Sequence, residues 1–406
     1  MNILWISHLL PFPPRGGAAL RSYNLIKQAA RYNSVDLITF NQKSMAAGKE
    51  HIQIAKEEFL RFCENVIVLN IPCDLHRFGT CALAAQSFFT IDPYSINWLK
   101  SHKMHKVIRS SVCQKEYDLV WFDTISLVPY LKDIRKSKII LNHHNIESEM
   151  MLRRATIEKN PLLKVYFFLE GLKLRLYERK YCHRFALNVT CSALDSERLL
   201  KRIEKLKTAI IPNGVDIKYF CSTGISKENC SLVFAGDLSW YPNREAILYF
   251  AKEVWPLLVT EIPDVKMTVV GKKPPDSLYE LAYKDKRFVV AGFVDDVRPY
   301  IEKAAVYVCP ITNGGGTKLK ILDALAMSKA IVAHPVACEG IDVVDNNTVL
   351  YATTAKMYVE KIKWLFQNST KCELMGNQGR LLVKSKYSYE KIGFELNEEF
   401  KNVCST

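Results

Sequence analysis

The sequence lacks the features that mark membrane-spanning, secreted and disordered chains. No apolar run approaches the roughly 18 residues of a membrane span, and the longest, at 81–91, is interrupted by Gln86 and Ser87. The N-terminus has no basic segment and no small-residue cleavage site, so we expect a cytoplasmic protein. The 17 glycines, 16 prolines and 49% hydrophobic content of the 406 residues are typical of a folded protein with two or three domains.

Patterns for zinc, disulfides and nucleic acid are also missing. Twelve cysteines lie between Cys63 and Cys404 with no C-x-x-C pair and no Cys/His group of zinc spacing, so we interpret them as free thiols. There is no zinc finger, aromatic RNA-binding signature or evident basic recognition helix. Nucleic acid is therefore not an expected partner.

Positive charge is concentrated in the first half of the chain. Residues 1–207 contain 32 basic and 19 acidic side chains, whereas residues 208–406 contain 24 and 23. Within the first half, residues 151–184 carry nine basic and three acidic side chains among leucines and aromatics. Such a segment suits an anionic membrane surface, or it is an ordinary helix whose apolar stripe enters the core. Both interpretations could hold for different faces.

Short apolar runs alternate with helical patterns along the chain. They lack strict alternation, which is typical of parallel strands covered on both faces. We predict strands at 3–7, 35–40, 66–69, 119–122, 139–142 and 186–191, and again at 231–235, 266–270, 288–290, 306–308, 330–333 and 348–351. The sequence therefore predicts an α/β fold of two doubly wound, Rossmann-like domains, at 1–207 and 208–386, with a last helix at 387–403.

Ligands of open parallel sheets bind beyond the carboxyl ends of the strands, so the loops there are candidate sites. The first such loop contains Gly16 and Gly17 and opens a helix. Paired glycines let backbone amides approach an anion at a helix N-terminus. The alternative is a simple tight turn, because neither dinucleotide-binding nor phosphate-loop spacing is present.

The second loop is Asn142-His143-His144-Asn145-Ile146-Glu147. Its two imidazoles, amide and carboxylate could position a polar substrate or share a proton. No third metal ligand is evident beside the histidines, so we expect no metal site. The alternative is a helix start with Asn145 as its N-cap.

The third loop, at 310–318, has three consecutive glycines and leads into a helix. Backbone donors, the helix dipole and the ammonium groups of Lys318 and Lys320 would favour an anion here. Asp323, near the start of the helix, could accept two hydrogen bonds from a sugar diol. This loop is the richest candidate site in the sequence.

The third loop and the helix that follows it carry a family resemblance. The segment 314–326, GGGTKLKILDALA, resembles the donor-binding segment of retaining GT-B glycosyltransferases of family 4, in the branch that builds bacterial surface polysaccharides. Residues 212–216 and 291–297, the early Gly-Gly loop and the closing helix are similar to further landmarks of that family. The resemblance implies the GT-B fold, with two domains facing a central cleft and the closing helix crossing back to the first domain.

The resemblance also implies roles for individual residues. His144 would lie by the transferred sugar, and Lys318 and Lys320 would hold the diphosphate as the catalytic cations, without a metal or other cofactor. The implied donor-binding residues are Gly236, Gly271, Phe293, Val294, Gly314, Gly315, Gly316, Thr317 and Asp323. The implied acceptor-side residues are Arg15, Gly16, Gly17, Arg21 and Glu147.

Two departures from the family pattern are present. The family's paired glutamates correspond to Gly315 and Asp323, and Gly236 is followed by Asp237 and Leu238 where many members carry an Arg and a Lys. The implied activity is metal-independent, retaining transfer of a hexose-type sugar from a nucleoside diphosphate to a lipid-linked or growing glycan. It implies a cytoplasmic enzyme, peripheral on the inner face of an anionic membrane. A nucleotide-sugar epimerase and a catalytically silent GT-B protein are the alternatives.

Overall fold

The computed structural model describes residues 1–42, 48–75, 79–314 and 316–405. The chain divides into two units, the first formed by Met1–Pro212 with Ile392–Thr406 and the second by Asn213–Lys391. Each unit contains one parallel sheet with helices packed against it. The two doubly wound domains expected from the sequence are therefore present.

The sheet of the first unit has the strand order β3-β2-β1-β4-β5-β6-β7, and every neighbouring pair is parallel. Successive side chains of the first strand enter different cores, Ile3 and Trp5 on one face and Leu4 and Ile6 on the other. Burial on both faces explains why the strand sequences lack alternation. The strands are β1 Asn2–Ser7, β2 Ser34–Asn41, β3 Asn65–Asn70, β4 Leu119–Phe122, β5 Lys138–Asn142, β6 Leu187–Thr190 and β7 Thr208–Ile210.

Helices cover both faces of this sheet. The longest, at Pro161–Tyr181, begins with an Asn160 N-cap whose side chain accepts hydrogen bonds from two backbone amides. None of the helices in the described part of the chain is long and apolar enough to cross a bilayer. The helices of this unit are α1 Gly17–Ala29, α2 Lys49–Leu60, α3 Gly79–Ser87, α4 Tyr94–Trp98, α5 His102–Gln114, α6 Glu147–Ile157, α7 Pro161–Tyr181 and α8 Ala193–Leu200.

The second unit repeats the design with the strand order β10-β9-β8-β11-β12-β13, again all parallel. Its strands are β8 Ser231–Ala235, β9 Lys266–Val270, β10 Phe288–Gly292, β11 Val306–Cys309, β12 Ala330–Ala333 and β13 Leu350–Tyr351. Its helices are α9 Tyr241–Tyr249, α10 Trp255–Glu261, α11 Asp276–Lys284, α12 Arg298–Lys303, α13 Leu319–Ala326, α14 Ala355–Gln367 and α15 Ser369–Leu382.

The last helix, α16, spans Tyr389–Ser405, two residues later at each end than the predicted 387–403. Its side chains Ile392, Leu396 and Phe400 recur at intervals of four and lie in a core of the first unit. The predicted boundary between 207 and 208 needs correction, because β7 pairs with β6 and the first unit continues to Pro212.

Each sheet has one point at which its strand order reverses. This switch point lies between β1 and β4 in the first unit and between β8 and β11 in the second. Crossover helices leave such a pair of strands toward opposite faces, which opens a crevice at their carboxyl ends. The residues that follow these four strands are therefore the first candidates for function.

Candidate functional site

Asp123 lies at the switch point of the first unit, directly after β4, and its side chain is fully buried. Oδ2 accepts hydrogen bonds from the hydroxyls of Ser7, at 3.0 Å, and Ser22, at 2.6 Å. Oδ1 accepts from Trp121 Nε1 at 3.3 Å and Asn142 Nδ2 at 3.2 Å. Four donors therefore fix the carboxylate in place, which is the arrangement a buried charge requires.

Two imidazoles face this carboxylate. His144 Nε2 lies 3.3 Å from Asp123 Oδ2, and His8 Nδ1 lies 3.7 Å from the same oxygen. We call Asp123, His8 and His144 the aspartate–histidine cluster. Burial alone would raise the pKa of Asp123, but the two histidines outweigh it and hold that pKa well below its usual range. Burial lowers the pKa of His144, and Asp123 opposes that shift.

The ligand atoms of the aspartate–histidine cluster lie within 4.8 Å of one another, so the three residues could hold a metal ion. The sequence did not reveal the two ligands that accompany His144, which are Asp123 and His8. However, the oxygen that faces the imidazoles already accepts two hydroxyl hydrogens. The geometry therefore favours a carboxylate that shares an imidazole proton.

Arg21, predicted at the acceptor side, is buried and faces inward. Its guanidinium donates to the carbonyl of Pro212 and to Asn142 Oδ1, both at 3.0 Å. Because Asn142 also donates to Asp123, the arginine is linked to the cluster through one amide. Its charge therefore balances the buried carboxylate rather than projecting from the loop.

The other predicted acceptor-side residues lie on the same edge of the sheet. Arg15, Gly16 and Gly17 are exposed at the start of α1, and Gly16 has a φ of 86°, a conformation that favours glycine. The Glu147 carboxylate accepts hydrogen bonds from Thr124 and Ser126 in the loop after β4. Glu147 is thereby tied to the loop that carries Asp123.

The loop after β5 differs from one interpretation of its sequence. Ile146, not Asn145, occupies the N-cap position of α6, and it makes no side-chain cap. The reason is that Glu178 of α7 accepts a hydrogen bond from the Ser148 amide at 3.0 Å and so satisfies the start of the helix. His143 is buried against Asn188, with its pKa lowered to about 4 by burial, so it does not share a proton with its neighbour.

At the switch point of the second unit, Lys320 lies beside Gly236. The Lys320 ammonium donates a hydrogen bond to Asn243 Oδ1, and Asn243 Nδ2 donates to the carbonyl of Asp237 at 2.7 Å. A Cβ on Gly236 would lie 2.3 Å from Lys320 Nζ, so only glycine leaves room for the ammonium. Asn243 thus holds Lys320 at the carboxyl end of β8.

Burial shifts the pKa values of Lys320 and Asp323 toward neutrality. Burial lowers the pKa of Lys320 to about 8, and it raises that of Asp323 to about 7 against the opposing effect of Lys320. Both residues lie in the first two turns of α13. An anion bound here would favour the protonated lysine, so the site is prepared for negative charge.

Lys318, predicted to hold the diphosphate, faces its own glycine loop. Its side chain is 3% exposed, and Nζ donates to the carbonyls of Gly314 and Gly316 at 3.0 and 2.8 Å. These glycines have φ values of 101° and 70°. Lys318 therefore stabilises the glycine loop by binding its carbonyls. The predicted donor-binding residue Gly315 lies outside the described residues.

The remaining predicted donor residues all lie in the second unit. Gly271 follows β9, and a Cβ there would lie 1.8 Å from the carbonyl oxygen of Gly236, so the two backbones are in contact. Phe293 is half exposed, with Lys272 Nζ 4.8 Å from its ring centroid. Val294 packs against the core, and the hydroxyl oxygen of Thr317 is buried beside the loop.

Sequence reasoning missed the residues that support these sites. His8 and Asp123 each follow directly after a predicted strand, and Asn243 follows the loop of Gly236. The available signal was position alone, because every residue after a strand at a switch point is a candidate.

The second unit resembles a known protein family, and most of the chain resembles one further protein. Residues 229–368 match the model of a family described as glycosyl transferases group 1. An uncharacterized 44.6 kDa protein in the cps region of Klebsiella pneumoniae is 22% identical over 382 residues, which cover 89% of this chain and 92% of that protein. A phosphatidyl-myo-inositol mannosyltransferase of Mycolicibacterium smegmatis is 32% identical over 132 residues, which cover 30% of this chain and 33% of that protein.

A solved structure matches the whole chain. It is Anabaena Alr3699/HepE in complex with UDP-glucose, with a TM-score of 0.66 at 16% identity, covering 99% of this chain and 100% of that one. Such a likeness shows the fold, which is the GT-B fold that the sequence predicts. Together the matches support a glycosyltransferase of this fold.

Proposed function

We propose that this chain is a retaining glycosyltransferase that moves a hexose-type sugar from a nucleoside diphosphate to a lipid-linked or growing glycan acceptor. The observation that carries the proposal is Lys320, held by Asn243 beside Gly236 at the switch point of the second unit. A cation, a glycine loop and a helix N-terminus meet there, which suits a diphosphate. The match of residues 229–368 to glycosyl transferases group 1 supports the same assignment.

In this proposal the second unit binds the donor. Lys320 and the amides at the start of α13 neutralise the leaving diphosphate without a metal ion. Lys318 keeps the glycine loop in shape, since its ammonium binds the loop carbonyls. Asp323 accepts hydrogen bonds from the ribose diol, and the half-exposed Phe293 meets the base.

The first unit then presents the acceptor. His144, fixed by Asp123, lies by the transferred sugar, and Glu147 with the Gly16-Gly17 turn borders the acceptor side. Transfer occurs on the face that the diphosphate leaves, and the diphosphate takes the acceptor proton. No enzyme nucleophile is required, and catalysis rests on positioning and charge stabilisation.

We further propose that the acceptor is lipid-linked and that the enzyme works in the cytoplasm, peripherally on the inner face of an anionic membrane. The basic excess of residues 1–207 supports this location. The similarity to a mannosyltransferase named for a phosphatidyl-myo-inositol substrate and to a protein of a cps region points the same way.

A ligand-induced stabilisation assay tests the donor site. We expect one of UDP, GDP, ADP or dTDP, with its sugar conjugates, to raise the melting temperature by mass action. Asp323→Ala should abolish the rise, whereas the control Asp264→Ala, at an exposed position of the same unit, should retain it. A chain that none of these nucleotides stabilises would contradict the proposal.

Turnover distinguishes the remaining alternatives. With the nucleotide sugar identified above, the proposal predicts transfer to a lipid-linked acceptor with retained anomeric configuration, measured by NMR of the product. Conversion of the donor without any acceptor would indicate an epimerase. Binding without turnover on any lipid-linked acceptor would indicate a silent protein.

A further inference from the structure

Helix α7 carries two apolar stripes on opposite sides. The inner stripe includes Phe167, Leu174 and Tyr177, which are buried. The outer stripe is exposed and follows the spacing of one helix face, with Leu162 at 78% and Leu176 at 68% exposure. Its members are Leu162, Val165, Leu169 and Leu176, and Phe168 lies at its edge.

The outer stripe continues onto the segment between α3 and α4. The ring of Phe88 packs on Tyr166 of α7 with centroids 5.2 Å apart, which places this segment against the helix. Phe89 and Ile91, which follow, are 92% and 94% exposed. We call Phe89, Ile91, Leu162, Val165, Phe168, Leu169 and Leu176 the α7 apolar surface. An exposed patch of this kind is rare on a surface that binds nothing.

The exposed charges of helix α7 have one sign, and the one acidic neighbour of the α7 apolar surface among the residues that the structure describes, Asp92 beside Ile91, is paired with Lys100 at 2.8 Å. Both acidic side chains of α7 point inward, because Glu170 accepts from the Tyr94 amide at 2.6 Å and Glu178 accepts from Ser148. The exposed charged side chains of the helix are basic: Lys164, Arg179 and Lys180. Basic groups beside exposed leucines and phenylalanines are typical of helices that lie in a membrane interface.

We propose that the α7 apolar surface docks this protein on an anionic lipid bilayer, with Phe89, Ile91 and the leucines entering the headgroup region. This deepens the proposed function, on which it rests, by naming the surface that meets the membrane. A second copy of the chain is a poorer occupant, because pairing two such faces would bring the lysines and arginines of both together. Phospholipid headgroups of negative charge complement them.

Vesicle sedimentation tests the proposal on the full chain. The protein should sediment with vesicles of phosphatidylglycerol and phosphatidylcholine, and it should stay in the supernatant with phosphatidylcholine alone. Phe89→Ser/Ile91→Ser and Leu162→Ser/Leu176→Ser should each weaken binding by about tenfold or more. Lys164→Gln/Arg179→Gln/Lys180→Gln should do the same, and the wild-type chain should dissociate as salt rises.

Matched variants control for exposed apolar residues in general. Tyr283→Ser/Val344→Ser removes side chains of the second unit that are also exposed, and it should sediment like the wild type. All the replaced side chains are exposed, so the melting temperatures should stay close to the wild-type value.

A wild-type chain that does not sediment with anionic vesicles overturns the proposal. A dimer in solution that the Leu162→Ser/Leu176→Ser variant dissociates, without vesicle binding, also overturns it and assigns the surface to self-association.

The outcome is independent of the donor site. Variants of the α7 apolar surface should keep the nucleotide-induced rise in melting temperature, because Lys320 and Asp323 lie in the other unit. If no nucleotide raised the melting temperature of the wild-type chain, the result would count against the proposed function alone. Loss of vesicle binding with nucleotide stabilisation intact would count against the docking surface alone.

Discussion

The imidazole of His144 is paired with the buried carboxylate of Asp123, at 3.3 Å between Nε2 and Oδ2. The pair joins the loops that follow β5 and β4. Because Asp123 is ionised and held by serine, tryptophan and asparagine donors, it determines which nitrogen of His144 carries a proton. Asp123 is therefore a positioning residue for the proposed acceptor side.

We expect Asp123→Asn to lower transfer by about tenfold to a hundredfold, the equivalent of one lost charge-assisted hydrogen bond. The loss should appear in kcat, and the pH profile should shift because the carboxylate no longer raises the pKa of His144. Nucleotide stabilisation should be unchanged. Steady-state kinetics across pH 5.5–9 would measure both effects.

Asp118→Asn is the matched control for this prediction. Asp118 lies at the opposite, amino end of β4, where it accepts a hydrogen bond from the Asn2 amide. This variant should retain wild-type kcat and the wild-type pH profile. If Asp123→Asn also retained them, the aspartate–histidine cluster would have only a structural role.

Lys320→Met should weaken nucleotide diphosphate binding by about tenfold to a hundredfold, because a charge-assisted contact is lost. Since the pKa of Lys320 is lowered to about 8 by burial, wild-type binding should also weaken as pH rises through that value. The variant should lack the fall in binding near pH 8, and any pH dependence that remains should follow Asp323, whose pKa burial raises to about 7. Calorimetric titration from pH 6.5 to 9.5 would test it, with the exposed Lys284→Met as control.

Alanine substitutions at Gly236 and Gly271, whose backbones are in contact, should have different effects on nucleotide binding and on stability. At Gly236 the new Cβ meets the end of the flexible Lys320 side chain, so the ammonium moves and nucleotide binding falls. The unfolding free energy should change by less than about 1 kcal/mol. At Gly271 the Cβ meets the Gly236 carbonyl at 1.8 Å, so a backbone must shift and stability should fall by about 2 kcal/mol or more.

Urea unfolding and nucleotide titration of both variants would check this pair. The expected outcome is a binding defect in Gly236→Ala that exceeds its stability defect, and the reverse order in Gly271→Ala. Equal stability losses in the two variants would contradict the assigned contacts. Gly224→Ala, at an open position of the same unit, adds backbone strain through its positive φ, which Gly236 and Gly271 do not have, so it shows the effect of strain without a steric contact.

The strands were predictable because burial on both faces leaves an uninterrupted apolar run. The strand predicted at 306–308, for example, is β11, which the structure extends by one residue to Cys309. The aspartate–histidine cluster was not predictable, since His8 and Asp123 are far apart in sequence and share only their position directly after a strand. Only the pairing of β1 with β4 brings them together.

The two stripes of α7 show a second limit. Apolar residues recur on both faces of the helix, and periodicity cannot tell which face packs inward. In the structure one stripe of α7 packs in the core, as the second interpretation of residues 151–184 expects, and the other stripe is exposed, which leaves the membrane interpretation a proposal. The sequence also could not show that Lys318 points inward. Its partners are backbone carbonyls of its own loop, and backbone carbonyls are present at every position of a sequence.

His143 should make stability fall in mild acid. Burial lowers its pKa from 6.5 to about 4. Between these two values His143 is protonated in the unfolded chain and neutral in the folded chain, so protonation favours unfolding. Its contribution is present above pH 6.5 and is lost as pH falls toward 4, by about 3 kcal/mol in total. Urea unfolding between pH 7.5 and 4.5 would show this slope.

His143→Gln should flatten part of that slope, because glutamine can still donate to Asn188 but does not titrate. His144, whose pKa is also lowered by burial, should retain the rest. The exposed His102→Gln should reproduce the wild-type slope. An unchanged slope in His143→Gln would mean that acid acts through other groups, whereas a flattened one would establish that this loop histidine, buried against Asn188, makes stability depend on pH.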